Sequence, residues 1–166
     1  MFRILDHPRL PFSVLLAVCA ALLSFGLYLQ HVEGIEPCPL CILQRYAFIL
    51  VALIALIATF HGPRGTARTV YAALLILVSL IGAGIAARQS WIQIYPPELA
   101  ECGPGLEYML DTLPLAQALP KIFRGSGDCS VVDWTFLGLT IANCTLLCFS
   151  IFVVFALAVV FRRGPV

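Results

Sequence analysis

Long apolar runs separated by polar segments dominate the pattern of this chain. Four of them are long, at residues 12–29, 41–60, 69–87 and 137–161. Each approaches or exceeds the roughly 20 residues that a helix needs to cross a hydrocarbon core of about 30 Å. A backbone in lipid must satisfy its own hydrogen bonds, so each run predicts a helix. The pattern therefore predicts an all-α membrane protein, a bundle of four transmembrane helices.

The composition agrees with a chain whose solvent is mostly lipid. Hydrophobic residues make up 61% of it and charged residues 11%, with a mean hydropathy of +0.98. Soluble domains have roughly 45–50% apolar and about 25% charged residues. The first apolar run is longer than the apolar central region of a signal peptide, which has roughly 7–15 residues, and this favours a span that is retained. We expect one integral-membrane domain over residues 1–166, a lipid bilayer around it, and no nucleic-acid partner.

Basic residues near the spans predict the orientation. One side carries Arg3, Arg9, Arg64, Arg68, Arg162 and Arg163, with Asp6 as its one acid. The other side has four basic residues against eight acids. Under the positive-inside rule both termini and the 61–68 connection are expected in the cytoplasm. The connections at 31–40 and 88–136 are then expected on the outward side, which would be the oxidising side of a bacterial-type inner membrane.

Seven cysteines divide between the spans and the outward connections. Those within the spans are expected to pack as small hydrophobes: Cys19, Cys144 and Cys148. The other four lie on the outward, oxidising side, where disulfide chemistry persists: Cys38, Cys41, Cys102 and Cys129. Four cysteines on one side of a membrane indicate a thiol relay.

Cys38 and Cys41 form a CxxC motif, which redox and zinc proteins share. Cys41 is expected in the first turn of the second helix, where unpaired N–H groups favour an anion. Arg45 follows Cys41 by four residues and therefore shares its helix face. Both effects favour the thiolate, which is the nucleophile in thiol exchange. Pro39 suits the start of a helix, because its φ is preset and it has no N–H to satisfy.

Arg45 also indicates which kind of molecule would accept electrons from the thiols. The apolar run after it has 15 residues, which is too short to span unless Arg45 enters the apolar edge. An arginine at that depth is either an interfacial anchor or a functional group. Gln44 adds a neutral donor and acceptor beside Cys41. A quinone, flat and lipid-soluble with two carbonyl oxygens, would fit between these three side chains.

The connection at 88–136 is too long for an idle linker. Its cysteines, Cys102 and Cys129, lie among Gly, Pro and Ser residues typical of turns. A bridge between them would close a loop of 28 residues and contribute roughly 3.5 kcal/mol as a structural staple. Exposed, flexible flanks favour an exchangeable disulfide instead. Glu101 and Asp128 are expected to raise the pKa values of both thiols, which would make this pair a weak oxidant.

The chain resembles the DsbB-type disulfide bond formation proteins of bacterial inner membranes. The matching segments are 27–31 (LYLQH), 36–45 (EPCPLCILQR), 93–96 (QIYP), 126–129 (SGDC) and 134–139 (WTFLGL). They follow in the family's order and cover nearly the whole chain. The resemblance implies a four-helix bundle that binds ubiquinone or menaquinone near the outer ends of its helices.

The resemblance also implies a route for the electrons. A reduced DsbA-like thioredoxin-fold oxidase of the periplasm would attack Cys102. Electrons would pass from the Cys102/Cys129 pair to Cys38/Cys41, with Cys38 as the exchanging sulfur, and then to the quinone pool.

Within that route, the resemblance places Cys41 next to the quinone. Arg45 would support the Cys41 thiolate and the reduced ring. Arg88 and Gln89 stand where relatives carry a further residue near the ring, and either of them is expected to approach it.

Three other interpretations are weighed against this one. A vitamin K epoxide reductase-like enzyme has its loop cysteines before the CxxC, whereas here the CxxC comes first. A zinc site of the four outward cysteines with His31 nearby would have an atypical second pair, 27 residues apart. In a structural tetraspan protein the cysteines would merely staple loops.

Overall fold

The computed structural model describes residues 7–96 and 129–161, apart from 131, 133 and 137. These residues form four helices: α1 (Leu10–His31), α2 (Pro39–His61), α3 (Gly65–Ile94) and α4 (Ile141–Phe161). All four are long and apolar enough to cross a membrane, which confirms the predicted fold class. Residues 1–6, 97–128 and 162–166, which include Glu101, Cys102 and Asp128, lie outside the described residues.

Helix α3 differs most from its predicted bounds. It has 30 residues and continues to Ile94, seven residues beyond the predicted end at 87. The pattern misses this last part because polar residues enter the sequence there. Gln89, Ser90 and Ile92 are nevertheless buried against the bundle, so one face of the helix stays in the core. The connection that follows α3 therefore begins after Ile94, and not at Arg88 as predicted.

A short hairpin that the sequence did not predict precedes α4. Strands β1 (Thr135–Phe136) and β2 (Leu139–Thr140) pair antiparallel. Gly138 lies between them at φ 81°, in the left-handed region that favours glycine. The hydroxyl of Thr140 donates to Gln93 Oε1 at 2.8 Å. This bond ties the hairpin to the outer end of α3.

The bundle packs through small residues on α2. Its buried face includes Ala47, Val51, Ala55 and Ala58, spaced three or four residues apart. Small side chains at that spacing let helix backbones approach closely in lipid. Helix α2 contacts α1 and α3, and α3 contacts α4. The larger apolar side chains of the opposite faces, such as Leu53 on α2, stay exposed, as a lipid-facing surface requires.

Candidate redox site

The CxxC motif lies at the N-terminus of α2, with its first sulfur folded over the first turn. Cys38 is the N-cap residue, and its sulfur accepts a hydrogen bond from the backbone N–H of Cys41 at 3.4 Å. Pro39 occupies the first helical position, as expected of a residue with preset φ. The two sulfurs lie 3.1 Å apart, with Cys38 donating to Cys41. Helix geometry alone thus brings both thiols together in the first turn.

Cys129 joins this pair from the far end of the long connection. Its side chain is fully buried in an apolar cluster with Cys38, Leu40, Ile85 and Ile92. Its thiol interacts with that of Cys38, and this interaction is the largest cause of the raised pKa of Cys38. The burial of Cys129 differs from the exposure expected from its Gly- and Ser-rich flank, because the apolar surfaces of α2 and α3 cover it. Three of the four cysteines that the sequence predicts on the outward side therefore lie close together.

Cys38 is held in its neutral form by these neighbours. Hydrogen bonding to Cys129, hydrogen bonding to Cys41 and burial each raise the pKa of the Cys38 thiol. The proton of this thiol is directed at Cys41. Cys38 is 8% exposed and Cys129 0%, whereas Cys41 is only partly buried. Of the three sulfur-bearing side chains, that of Cys41 is thus the most open to the surroundings.

A chain of buried polar side chains ends at these sulfurs. Gln89 Nε2 donates to Cys41 Sγ at 3.0 Å and to Cys38 Sγ at 3.4 Å. Gln89 Oε1 accepts from Gln44 Nε2 at 2.6 Å. Gln44 Oε1 in turn accepts from Thr145 Oγ1, also at 2.6 Å. Helices α3, α2 and α4 each contribute one side chain to this chain.

Arg45 turns toward α1 at the same end of the bundle. Its guanidinium donates to Gln30 Oε1 and, at 2.9 Å, to the carbonyl oxygen of Gly26. The side chain is half-buried between α1 and α2. These bonds fix α1 against α2 beside the CxxC. They direct the charge to α1, whereas the sequence predicted that it supports the Cys41 thiolate.

The structure distributes the remaining predicted site residues unevenly. Gln89 meets the sulfurs, whereas Arg88 beside it is exposed. Gln44 is 2% exposed and lies behind Gln89, rather than open to a ligand beside Cys41. Thr145 was missed, and its one signal in the sequence is a hydroxyl inside an apolar run. Cys102, the predicted contact for a partner, lies outside the described residues.

Comparisons with known proteins agree on one family. The family model described as "Disulfide bond formation protein DsbB" matches residues 8–159. A protein of Azoarcus sp. (strain BH72) named disulfide bond formation protein B is 62% identical over 152 residues, covering 92% of each chain. A protein of the same name from Aromatoleum aromaticum is 58% identical, covering 93% of each chain. A third, from Polaromonas sp. (strain JS666), is 52% identical over 93% of this chain and 92% of its own.

Proposed function

Because the chain belongs to the DsbB family of disulfide bond formation proteins, we propose that it is a membrane protein-disulfide:quinone oxidoreductase. It reoxidises a DsbA-like thioredoxin-fold oxidase in the periplasm and passes the electrons to ubiquinone or menaquinone. Its four redox cysteines are Cys102 and Cys129, which receive electrons first, and Cys38 and Cys41, which deliver them. The cysteines face the periplasm of a bacterial inner membrane.

The observation that carries this proposal is the position of Cys38 between two other sulfurs. Its sulfur lies 3.1 Å from that of Cys41, and its side chain packs in the same buried cluster as Cys129, whose thiol interacts with it. Thiol–disulfide exchange proceeds by attack of a thiolate on a disulfide sulfur. A sulfur in contact with a member of each pair is what a handover between the pairs requires.

The handover consists of successive thiol–disulfide exchanges, and in each of them one disulfide bond forms while another breaks. The partner's thiolate attacks Cys102, forms a mixed disulfide and releases Cys129 as a thiolate. That thiolate attacks the sulfur of Cys38, the bond between Cys38 and Cys41 breaks, and Cys41 leaves as a thiolate. The partner's second thiolate then attacks its own mixed-disulfide sulfur and releases Cys102. The Cys102 thiolate in turn attacks Cys129 and releases Cys38. This restores the Cys102–Cys129 disulfide and leaves Cys38 and Cys41 reduced, so they hold the two electrons for the quinone.

Burial assigns different tasks to the sulfurs. Cys38 and Cys129 are buried, which suits an exchange that occurs inside the protein. Cys41 is partly open, which suits delivery of electrons to an external acceptor. The N–H of Gln89 donates to the Cys41 sulfur and would stabilise the leaving thiolate.

The donors beside Cys41 fit a quinone headgroup. When bound, ubiquinone or menaquinone would supply an acceptor for two electrons and two protons. The guanidinium of Arg45 would orient a carbonyl oxygen from the α1 side, since an arginine has five N–H donors and two of them are used by α1. Gln89 is the neighbour of Cys41 on α3, which favours it over the exposed Arg88 as a headgroup contact.

Quinone reduction by the purified protein tests the proposal. The protein in detergent is mixed with a reduced periplasmic thioredoxin-fold dithiol protein, and ubiquinone and menaquinone absorbance is followed separately. We expect turnover with at least one quinone, and its loss in Cys41→Ser and in Cys102→Ser. Cys148→Ser, on α4 away from the described cluster, is the matched control and keeps turnover. Absence of turnover with both quinones in the unchanged protein would reject the proposal.

A further inference from the structure

We propose that Thr145 and Gln44 are positioning residues that hold the carboxamide of Gln89 with its N–H, and not its carbonyl, toward the sulfurs of Cys38 and Cys41. This inference deepens the proposed function, and it rests on the assignment of those two cysteines as the delivering pair. Gln89 alone touches the sulfurs. The other two residues act through it.

The carboxamide of Gln89 can adopt either of two orientations toward the sulfurs. A glutamine amide has a donor end and an acceptor end of nearly the same shape. Turned one way, Gln89 gives each sulfur an N–H, which favours a thiolate; turned the other way, it gives a carbonyl oxygen, which disfavours one. The two sulfurs cannot fix the choice, because a neutral thiol both donates and accepts. The choice has to come from the other side of Gln89.

Gln44 and Thr145 supply that choice as one directed chain. Thr145 Oγ1 lies 2.6 Å from Gln44 Oε1, a distance typical of an O–H donating to an oxygen. This leaves the nitrogen of Gln44 facing Gln89, whose oxygen accepts at 2.6 Å. The nitrogen of Gln89 is then left for the sulfurs, at 3.0 and 3.4 Å. Each amide passes the direction of the first bond to the next.

Burial makes this direction costly to reverse. Gln44 is 2% and Gln89 3% exposed, so water cannot readily satisfy an amide that turns the wrong way. An unsatisfied buried donor or acceptor costs about 1–3 kcal/mol. The Thr145 hydroxyl has one proton and also lies 2.9 Å from the carbonyl oxygen of Ala142 on its own helix. A proton spent on that carbonyl would leave Gln44 without its fixed direction.

Among the described residues, few titratable groups compete with this effect at Cys41. Cys38 faces it on α2, and Cys129 approaches from the segment before the hairpin. Arg45 follows on α2, with its guanidinium bound to Gln30 and Gly26 of α1. A change at Thr145 or Gln44 alters none of these charges. Any effect on the reactivity of Cys41 must therefore pass through hydrogen bonds or through packing.

The pH profile of Cys41 alkylation separates these two routes. Reduced protein carrying Cys38→Ser, which prevents the disulfide, is treated with iodoacetamide from pH 5 to 10. Mass spectrometry then measures the rate at Cys41. A freed amide offers the sulfur its N–H only part of the time, so less thiolate forms. With Gln44→Met or Thr145→Val, we expect the pH at which the alkylation rate is half-maximal to rise by about half to one unit. At any pH below that midpoint, alkylation of Cys41 is then expected to be roughly three- to ten-fold slower. Thr145→Ser keeps the hydroxyl and keeps the profile.

The same two substitutions, made in a protein that also carries Gln89→Met, distinguish an effect that passes through the Gln89 amide from an effect of packing. With the amide of Gln89 gone, Gln44→Met and Thr145→Val are expected to shift the profile no further, because the chain no longer reaches the sulfur. Shifts of equal size with and without Gln89→Met would show a packing effect and overturn the proposal. Unchanged profiles for Gln44→Met and Thr145→Val in folded protein would overturn it as well.

These measurements use neither quinone nor a partner protein. Thermal unfolding in detergent identifies any variant that fails to fold. Thr145→Val only replaces a hydroxyl with a methyl group, so it is the smallest change among these substitutions. If the protein reduces no quinone but shows the expected shifts, the positioning role is supported and the proposed function is rejected. If it reduces quinone but shows no shifts, the proposed function is supported and the positioning role is rejected.

Discussion

The thiol of Cys129 interacts with that of Cys38, although one belongs to the end of the long connection and the other caps α2. Both side chains are buried in a cluster completed by Leu40, Ile85 and Ile92. Apolar packing therefore holds together two sulfurs that the sequence keeps far apart.

This contact predicts a disulfide between the two residues. In a protein carrying Cys41→Ser and Cys102→Ser, a mild oxidant should join Cys38 to Cys129, because each has lost its partner in the CxxC or in the loop. Proteolysis and mass spectrometry would identify the linked peptides. The variant with Cys129→Ser in addition is the control and should lack the product. Persistence of both free thiols under conditions that oxidise the unchanged CxxC would contradict the observed proximity.

The neighbours of Cys38 predict a late rise in its reactivity with pH. The pKa of its thiol is raised, first by hydrogen bonding to Cys129, then by hydrogen bonding to Cys41 and by burial. At a given pH a smaller fraction is thiolate than in an ordinary cysteine, whose pKa is about 8.5. Alkylation of Cys38 in reduced protein should therefore stay slow at pH 7 and accelerate only above about pH 8.5.

The control for this profile removes the first cause of the shift. Cys129→Ala should move the acceleration at Cys38 to lower pH. A Cys38 that is alkylated faster at pH 7 than a cysteine in an unfolded peptide would contradict the prediction.

Gly82 predicts a steric effect where α3 meets α4. A Cβ at this position would lie 2.6 Å from ring atoms of Phe149. That ring cannot yield easily, because it stacks on Phe48 with ring centroids 4.2 Å apart. Gly82→Ala should therefore lower the free energy of unfolding by about 1–3 kcal/mol, measured by denaturation in mixed micelles.

Gly84 provides the matched control two residues further along the same helix. Nothing lies within 4 Å of a Cβ built there. Gly84→Ala should leave stability unchanged or raise it by up to about 1 kcal/mol, because alanine is the better helix former. Equal losses from both substitutions would mean that contact with Phe149 is not the cause.

Arg45 predicts a requirement for the guanidinium shape as well as the charge. Its donors bind Gln30 and the carbonyl oxygen of Gly26 together. A lysine carries a compact charge and cannot reproduce this fork. Arg45→Lys should lower the free energy of unfolding by about 1–3 kcal/mol and reduce quinone turnover, and Arg45→Met should reduce both further.

Gln30→Glu tests the same contact from the other side. It keeps an acceptor for Arg45 and should preserve stability. Full stability of Arg45→Lys would show that the fork to α1 contributes nothing.

The four membrane-length helices of the described residues and the CxxC at the start of α2 follow from the sequence, for local reasons. Span length is set by the bilayer, and the position of Pro39 by its fixed φ. Each of these depends on neighbours within a turn or on a run of one composition. The spacing of Cys38 and Cys41 likewise falls within one helical turn, so the pattern alone brings their sulfurs together.

Tertiary structure decided what depends on residues from different helices. Cys129 was expected to be exposed, but apolar surfaces of α2 and α3 bury it next to Cys38. Thr145 looked like one hydroxyl in an apolar run, yet it begins the hydrogen-bond chain that reaches the sulfurs. Gln44 was predicted to contact a ligand and instead contacts Gln89. Hydropathy and spacing determine which segments enter the membrane, because lipid acts on each segment separately. Only packing determines which polar side chains meet there, because each must find its partner on another helix.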